Sequence, residues 1–173
     1  ILTSYPENSL FSILTPRFIT EDPEGNIWFS GHGASRYNFR EKQIDLRLDS
    51  FPKIKIMRKQ VMGLLFDTKG KMYFGVLENG LVIYDPVTKQ FEHLTRNDGL
   101  PDNSIGSLYL HKNTLWLGSE SGLASFDIQT KKISSFGMGD NMPGGPVTSY
   151  SFYYDSVARQ LYAAFNNTLL RFN

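Results

Sequence analysis

The three histidines and the aspartates of two equivalent turns are candidates for acid–base or metal chemistry. His32, His93 and His111 are not spaced as metal ligands, and the sequence contains no His-Glu-x-x-His motif. Asp22 and Asp67 occupy equivalent positions in two copies of one turn, so we expect them to lie in different structural units. Two carboxylates that far apart could not act as the acid–base pair of a glycosidase, and we expect both to cap their turns instead.

Composition excludes several other kinds of site. The chain has 173 residues, a formal net charge of +1 and no cysteine, which rules out disulfides, thiolate metal sites and cysteine nucleophiles. The sequence has neither a phosphate-binding glycine motif nor a Gly-x-Ser-x-Gly elbow. The longest apolar stretch, near Val61–Phe66, is too short to span a bilayer. We therefore predict no nucleic-acid partner, no direct membrane insertion by this segment, and no metal or other cofactor.

A sequence motif recurs about every 45 residues. The repeated structure that it specifies must position any functional residue. The motif begins with a polar turn and a glycine. An aromatic residue in a short strand follows, and then a second glycine and an apolar strand that ends in Asp or Asn. The aromatic anchors are Trp28, Tyr73, Trp116 and Tyr162, so the steps are 45, 43 and 46 residues. A core residue recurs in every copy, whereas a site residue usually does not. We therefore predict that the anchors form core between repeats and are not a ring of sugar-stacking platforms.

Each repeat divides into short strands. Residues 22–25 (Asp-Pro-Glu-Gly) and 67–70 (Asp-Thr-Lys-Gly) place Asp at the start and Gly at the end of a tight turn. In the third copy Asn113 takes the glycine position, and we expect it to adopt the left-handed conformation. No segment has the periodicity of an amphipathic helix, so we predict an all-β fold of four-stranded antiparallel meanders, the blades of a β-propeller.

The predicted units have approximate boundaries. Residues 1–5 would be the outer strand of a preceding blade, and the fourth unit would stop after its third strand. The units are 8–50, 51–95, 96–137 and 138–173.

The third unit and the link before it resemble a known repeat family. Residues 113–127 follow the pattern of an aromatic strand, Gly118, Gly122-Leu123 and a final Phe126-Asp127 pair. Residues 97–105 (Asn-Asp-Gly-Leu-Pro-Asp-Asn-Ser-Ile) resemble that family's link into the next blade. Together these features resemble the two-component regulator propeller repeat family. The first and fourth units match it less closely.

The resemblance implies the extracytoplasmic, periplasmic sensor part of a bacterial, Bacteroidetes-type hybrid two-component system that responds to polysaccharide fragments. It also implies about seven blades in a ring, with a kinase outside this segment. The alternative is a closed four-bladed ring, in which residues 1–3 pair with the last three strands. We favour the larger ring, in which neighbouring blades or domains of the same protein would cover the exposed inter-blade surface and strand edge.

The loops that vary between repeats are the predicted ligand-binding site. In propellers, the loops between second and third strands and the links between blades line one face, and variable loops on a fixed scaffold carry function. The predicted partners are an oligosaccharide ligand and a second copy of the chain as a homodimer. The predicted ligand-binding residues are His32, Glu78, Asn79, Arg96, Glu120 and Asn166.

We predict a non-catalytic sensor or ligand-recognition propeller. One alternative is a structural propeller within a surface or secretion-associated protein. Another is an enzyme, because residues 25–29 (Gly-Asn-Ile-Trp-Phe) also resemble streptogramin-lyase-type propellers. That chemistry needs an acid–base histidine with a partner, and His32 has no paired carboxylate beside it in the sequence, so we expect this segment not to be an enzyme.

Overall fold

The computed structural model describes residues 16–47, 60–137, 140, 151–165 and 168–172. Within these ranges the chain contains no α-helix, and its strands form four antiparallel sheets in which sequential strands are neighbours. We number these sheets blades 1 to 4. The prediction of an all-β fold built from antiparallel meanders is confirmed.

The strand bounds are as follows. Blade 1 contains β1 (Phe18–Glu21), β2 (Ile27–Gly31), β3 (Gly33–Asn38) and β4 (Gln43–Arg47). Blade 2 contains β5 (Val61–Phe66), β6 (Met72–Val76), β7 (Gly80–Asp85) and β8 (Gln90–Leu94). Blade 3 contains β9 (Ile105–His111), β10 (Thr114–Ser119), β11 (Gly122–Asp127) and β12 (Ile133–Phe136). Blade 4 contains β13 (Ser151–Asp155), β14 (Gln160–Phe165) and β15 (Thr168–Phe172).

The aromatic anchors occupy one position in the second strand of every blade, and the first three contact the next blade. The Trp28 ring lies 5.7 Å from that of Phe66 in blade 2, and the Trp116 ring lies 5.0 Å from that of Phe172 in blade 4. Tyr73 belongs to an apolar cluster dominated by residues of blade 3. Trp28 and Tyr73 are buried, whereas Trp116 and Tyr162 are half-buried. Burial of these large rings is a main source of packing energy between blades.

The two repeated aspartates cap their turns as expected and also hold the anchors. Asp22 Oδ1 accepts hydrogen bonds from the backbone N–H groups of Glu24 and Asn26 at 3.0 and 2.8 Å. Its second oxygen accepts the indole N–H of Trp28 at 2.9 Å. One carboxylate therefore fixes the turn and pairs a buried donor of the core.

Blade 2 repeats this arrangement with a different anchor. Asp67 Oδ1 accepts the backbone N–H groups of Lys69 and Lys71 at 2.8 and 2.9 Å. Asp67 Oδ2 accepts the hydroxyl of Tyr73 at 3.1 Å. Trp and Tyr each present one polar hydrogen to the same carboxylate position, which explains how both residues serve one position of the repeat.

The third blade departs from the predicted turn. Its first hairpin pairs His111 directly with Thr114 and has only two turn residues. Lys112, with φ of 55°, adopts the left-handed conformation, so the assignment of that conformation to Asn113 was wrong. The physical reason is the shorter loop, which leaves no four-residue turn in which the residue at 113 could replace the glycine.

Candidate functional site

The meander topology sorts the connections onto two ends of the blades. One end carries the loops between second and third strands together with the links between blades. We call it the loop face, and in the described chain it comprises residues 31–33, 77–79, 95–104 and 119–121. The opposite end carries the first and third hairpin turns of each blade, and we call it the turn face.

The link between blades 2 and 3 is a rigid part of the loop face. Residues Arg96–Asp98 form a single 3-10 turn with a reciprocal capping box between Thr95 and Asp98. Hydrogen bonds from the backbone N–H and the hydroxyl of Thr95 hold the pKa of Asp98 below its ordinary value. Gly99 ends the turn in the left-handed conformation, with φ of 104°. Leu100 then enters the core between the two blades, where it is buried.

The end of this link joins the loops of blades 2 and 3. The carbonyl of Asn103 accepts the N–H of Gly80 at 2.5 Å, and the hydroxyl of Ser104 accepts the N–H of Glu78 at 3.2 Å. The hydroxyl of Ser121 donates to Asp102. The link is therefore hydrogen-bonded to the loops of both blades.

Blade 1 is joined to the same surface. His32 and Gln60 form an isolated antiparallel bridge, and the carbonyl of Gln60 accepts the N–H of Leu77 at 3.0 Å. Backbone contacts thus run from the loop of blade 1 through that of blade 2 to the link and blade 3. The loop face is a continuous surface rather than a set of isolated loops.

The structure brings most of the predicted ligand residues to this face. His32, Glu78, Arg96 and Glu120 are exposed. Arg96 donates its backbone N–H to the side-chain oxygen of Asn103 at 2.8 Å, which fixes where its side chain leaves the link. Asn166 lies outside the described residues.

Asn79 serves the framework of its loop as well as the surface. Its side-chain nitrogen donates to the carbonyl of Leu77 at 3.1 Å, and its own carbonyl contacts Nε2 of His93. No motif in the sequence indicates this contact of His93, which lies in the outer strand β8. The contact forms because the outer strand ends beside the loop, and this position is known only once the register of the sheet is known.

Glu78 combines exposure with an unfavourable backbone conformation. Its φ is 60° in the hairpin turn between β6 and β7, and the other described non-glycine residues with positive φ are lysines or an arginine in other hairpin turns. A non-glycine residue in the left-handed region costs about 1 kcal/mol, and Glu78 shares this cost with the other turn residues of positive φ.

We expect Glu78→Gly to stabilise the protein by up to about 1 kcal/mol, because glycine removes this cost but gains entropy in the unfolded chain. Chemical denaturation measures the change. Glu78→Ala, which keeps the left-handed residue but removes the carboxylate, should leave stability within about 0.5 kcal/mol of wild type. A loss of stability in both variants would contradict the account and make Glu78 a framework residue.

The chemistry of the loop face is that of polar recognition. Its exposed carboxylates, guanidinium and imidazole provide acceptors and donors that suit hydroxyl-rich ligands. Within the described residues, no group of three or more His, Cys, Asp or Glu side chains could hold a metal ion. The same part of the chain contains no helix that is long and apolar enough to cross a membrane.

Comparisons with known proteins establish the fold class. No protein-family model matches this chain, and no curated protein matches it in sequence. The structure of the extracellular domain of the hybrid two-component system BT3049 from B. thetaiotaomicron is similar over 100% of this chain and 23% of its own length, with 22% identity and a TM-score of 0.81. The extracellular domain of BT4673 from the same organism is similar over 92% of this chain and 20% of its own, with 21% identity and a TM-score of 0.72.

A third similar structure has a different role. PorZ, a surface component of the type-IX secretion system of Porphyromonas gingivalis, is similar over 96% of this chain and 27% of its own length, with 14% identity and a TM-score of 0.65. This chain thus spans only 20–27% of the length of each of these proteins. Likeness at these identities shows the fold alone, and the fold is that of propeller blades.

Proposed function

We propose that this chain is a non-catalytic ligand-recognition segment within the extracytoplasmic part of a two-component signalling protein, with a periplasmic location. The observation that carries the proposal is the loop face, where exposed polar residues that differ between repeats stand on a framework that repeats. Likeness to two extracellular domains of signalling systems, over 92% or more of this chain, supports the same assignment.

The proposed ligand is an oligosaccharide fragment. Glu78 and Glu120 lie on the two loops that the link joins, and both are exposed. Carboxylates accept hydrogen bonds from sugar hydroxyls, and such charge-assisted bonds are among the stronger ones available to a surface site. Arg96 adds a donor on the link, and His32 adds a donor or acceptor at the blade 1 end.

Signalling requires that the ligand bind two arrangements of the protein with different affinity. A ligand that contacts both Glu78 and Glu120 would favour one position of blade 2 relative to blade 3. The link would transmit this preference because it is hydrogen-bonded to both loops. We further propose that the chain is part of a larger ring of about seven blades, with neighbouring blades or domains and a second copy of the protein as its other partners.

Calorimetric titration with a panel of neutral oligosaccharides tests the function. We expect binding by wild type and a loss of affinity of about tenfold in Glu78→Gln and in Glu120→Gln, because each removes one charge-assisted hydrogen bond. His32→Ala should also weaken binding. Thermal unfolding should stay within a few degrees, since all three side chains are exposed.

The matched control is Glu41→Gln, which removes an exposed carboxylate on the turn face. It should leave affinity unchanged. Equal losses in the control and the loop-face variants would show a general charge effect and contradict the assignment of the site.

The likeness to PorZ favours a second candidate, a structural propeller in a surface or secretion-associated protein. The two candidates differ in their response to the panel. A structural propeller would bind none of the sugars, and substitutions on its loop face would weaken contacts with a protein partner instead.

A further inference from the structure

The turn face carries a concave surface that the proposed function does not use. It is a groove between blades 1 and 2 with a volume of about 490 Å³. Small-molecule sites commonly have volumes of about 300–1,000 Å³, mostly apolar walls and a few polar groups. The groove lies at the opposite end of the blades from the loop face, so its ligand would bind independently of a loop-face ligand.

The groove is apolar over most of its surface. Phe66 forms part of the floor beside the buried ring of Trp28. Pro86 and Val87 form the rim in blade 2, and Val87 is 83% exposed. A ligand with one flat apolar face would remove these side chains from water, which is favourable at about 25 cal/mol per Å².

Cationic groups line both sides of the groove. Nε and Nη2 of Arg36 each lie 2.8 Å from a carboxylate oxygen of Asp45, and this bidentate pair fixes the guanidinium. Nη1 forms an ion pair with Glu24, at 3.7 Å from Oε2, but this distance is beyond a direct hydrogen bond, so the N–H groups of Nη1 can still donate to a ligand. Lys69 on the blade 2 side is exposed, and no described carboxylate forms an ion pair with it.

The acidic groups of the groove are less available for a ligand. Both oxygens of Asp22 already accept hydrogen bonds from its own turn and from Trp28. Only Glu24, at the mouth, keeps exposed acceptors. The groove therefore offers donors at two cationic side chains and acceptors at one carboxylate.

The walls of the groove do not favour an extended peptide. Peptides in sheet-like grooves gain affinity from unpaired backbone groups of a strand edge. Here the walls are hairpin turns whose N–H groups are capped by Asp22 and Asp67. A compact ring with its own hydroxyls and a negative charge fits this arrangement better.

We propose that the groove between blades 1 and 2 binds an acidic sugar of the hexuronate class. Its apolar ring face would pack on Phe66 and Val87. Its carboxylate would accept hydrogen bonds from Nη1 of Arg36 and from Lys69, and its hydroxyls would donate to Glu24.

NMR of the indole N–H groups tests the proposal, because the chain has two tryptophans. Trp28 lines the groove, whereas Trp116 lies between blades 3 and 4, and Trp116→Phe assigns the two signals. Titration with digalacturonate should shift the Trp28 signal with a Kd of about 1 mM and leave the Trp116 signal in place. The dimethyl ester of digalacturonate, which lacks the charge, should bind about tenfold more weakly.

Lys69→Gln should raise the Kd for digalacturonate about five- to tenfold. Lys112→Gln, on the equivalent hairpin of blade 3, removes an exposed lysine outside the groove and should change nothing. A Trp28 signal that does not move, equal binding of the ester, or an equal effect of the Lys112 variant would each overturn the proposal. None of these results would bear on the loop face, whose variants are read out separately.

Discussion

Gly80→Ala is expected to destabilise the protein by about 4 kcal/mol, the largest effect of any single methyl group that we anticipate. Gly80 begins β7 with φ of 73°, and a Cβ there would overlap the backbone carbonyl oxygen of Leu94 at the end of β8. A backbone carbonyl cannot rotate away as a flexible side chain can. The third and fourth strands of blade 2 would have to separate, beside the link that joins the blade to its neighbour.

Gly70→Ala is the matched control for this prediction. Gly70 has nearly the same φ, 78°, but nothing lies within 4 Å of the position that a Cβ would occupy. Its substitution should cost only the penalty for the left-handed conformation, about 1 to 2 kcal/mol. Urea denaturation of the two variants separates the conformational cost from the steric one. Equal losses of stability would mean that the close approach of the Leu94 carbonyl oxygen is not what requires glycine at position 80.

Asp22→Ala is expected to cost about 3 kcal/mol, since it removes two functions at once. Two backbone N–H groups of the turn lose their acceptor, and the indole N–H of Trp28 is left buried without a partner. A buried donor without an acceptor costs about 1–3 kcal/mol. Trp28→Phe removes the donor but adds a cavity, so the single variants alone cannot isolate the hydrogen bond.

A double-mutant cycle isolates this bond. The double variant Asp22→Ala/Trp28→Phe should be more stable than the sum of the single effects predicts, by about 1 kcal/mol, because it has no orphaned indole N–H. Additive effects would contradict the coupling of turn and anchor. The equivalent cycle at Asp67 and Tyr73 should give the same sign.

Acid should reduce the contribution of Asp22. Burial raises the pKa of this carboxyl, but hydrogen bonds from Trp28, Asn26 and Glu24 outweigh burial and hold the pKa below its ordinary value. A carboxylate with a lowered folded pKa stabilises the protein above its unfolded pKa and loses that contribution as the pH falls through the folded pKa. The stability difference between wild type and Asp22→Asn should therefore shrink below about pH 4.

The repeat made the blades predictable from the sequence. A 43- to 46-residue spacing of aromatic anchors specifies the unit, and short strand-forming runs separated by Asp-Gly turns specify its strands. Strands β5 and β8 are two such runs. The two-residue hairpin at Lys112 was not predictable in the same way, because its conformation depends on the register of β9 against β10.

The site was predictable only as a set of loops. Meander topology places residues 78 and 120 at one end of their blades, so their common face follows from the sequence. The contact of Glu78 with Ser104 joins positions 26 residues apart, and that of Ser121 with Asp102 joins positions 19 residues apart. No local sequence pattern predicts either contact. The groove beside Trp28 depends on side chains of two blades, and its shape emerges only when the blades are packed together.

We propose different ligands for the two faces of the blades. On the loop face, hydrogen bonds between the loops and the link would connect the proposed ligand to the blade 2–blade 3 junction. On the turn face, the groove lies beside the Asp22–Trp28 anchor at the blade 1–blade 2 junction. Ligands at the two faces would therefore act on different junctions, and the variants described above separate them.

Mapping of backbone amide shifts during oligosaccharide titration tests whether the loop face recognises a ligand. We expect the amides of Glu78, Ser104 and Ser121 to shift together and saturate with one Kd, and we expect Glu120→Gln to weaken all three responses. Shifts confined to the outer strands, or no shift with any sugar of the panel, would contradict recognition by the loop face.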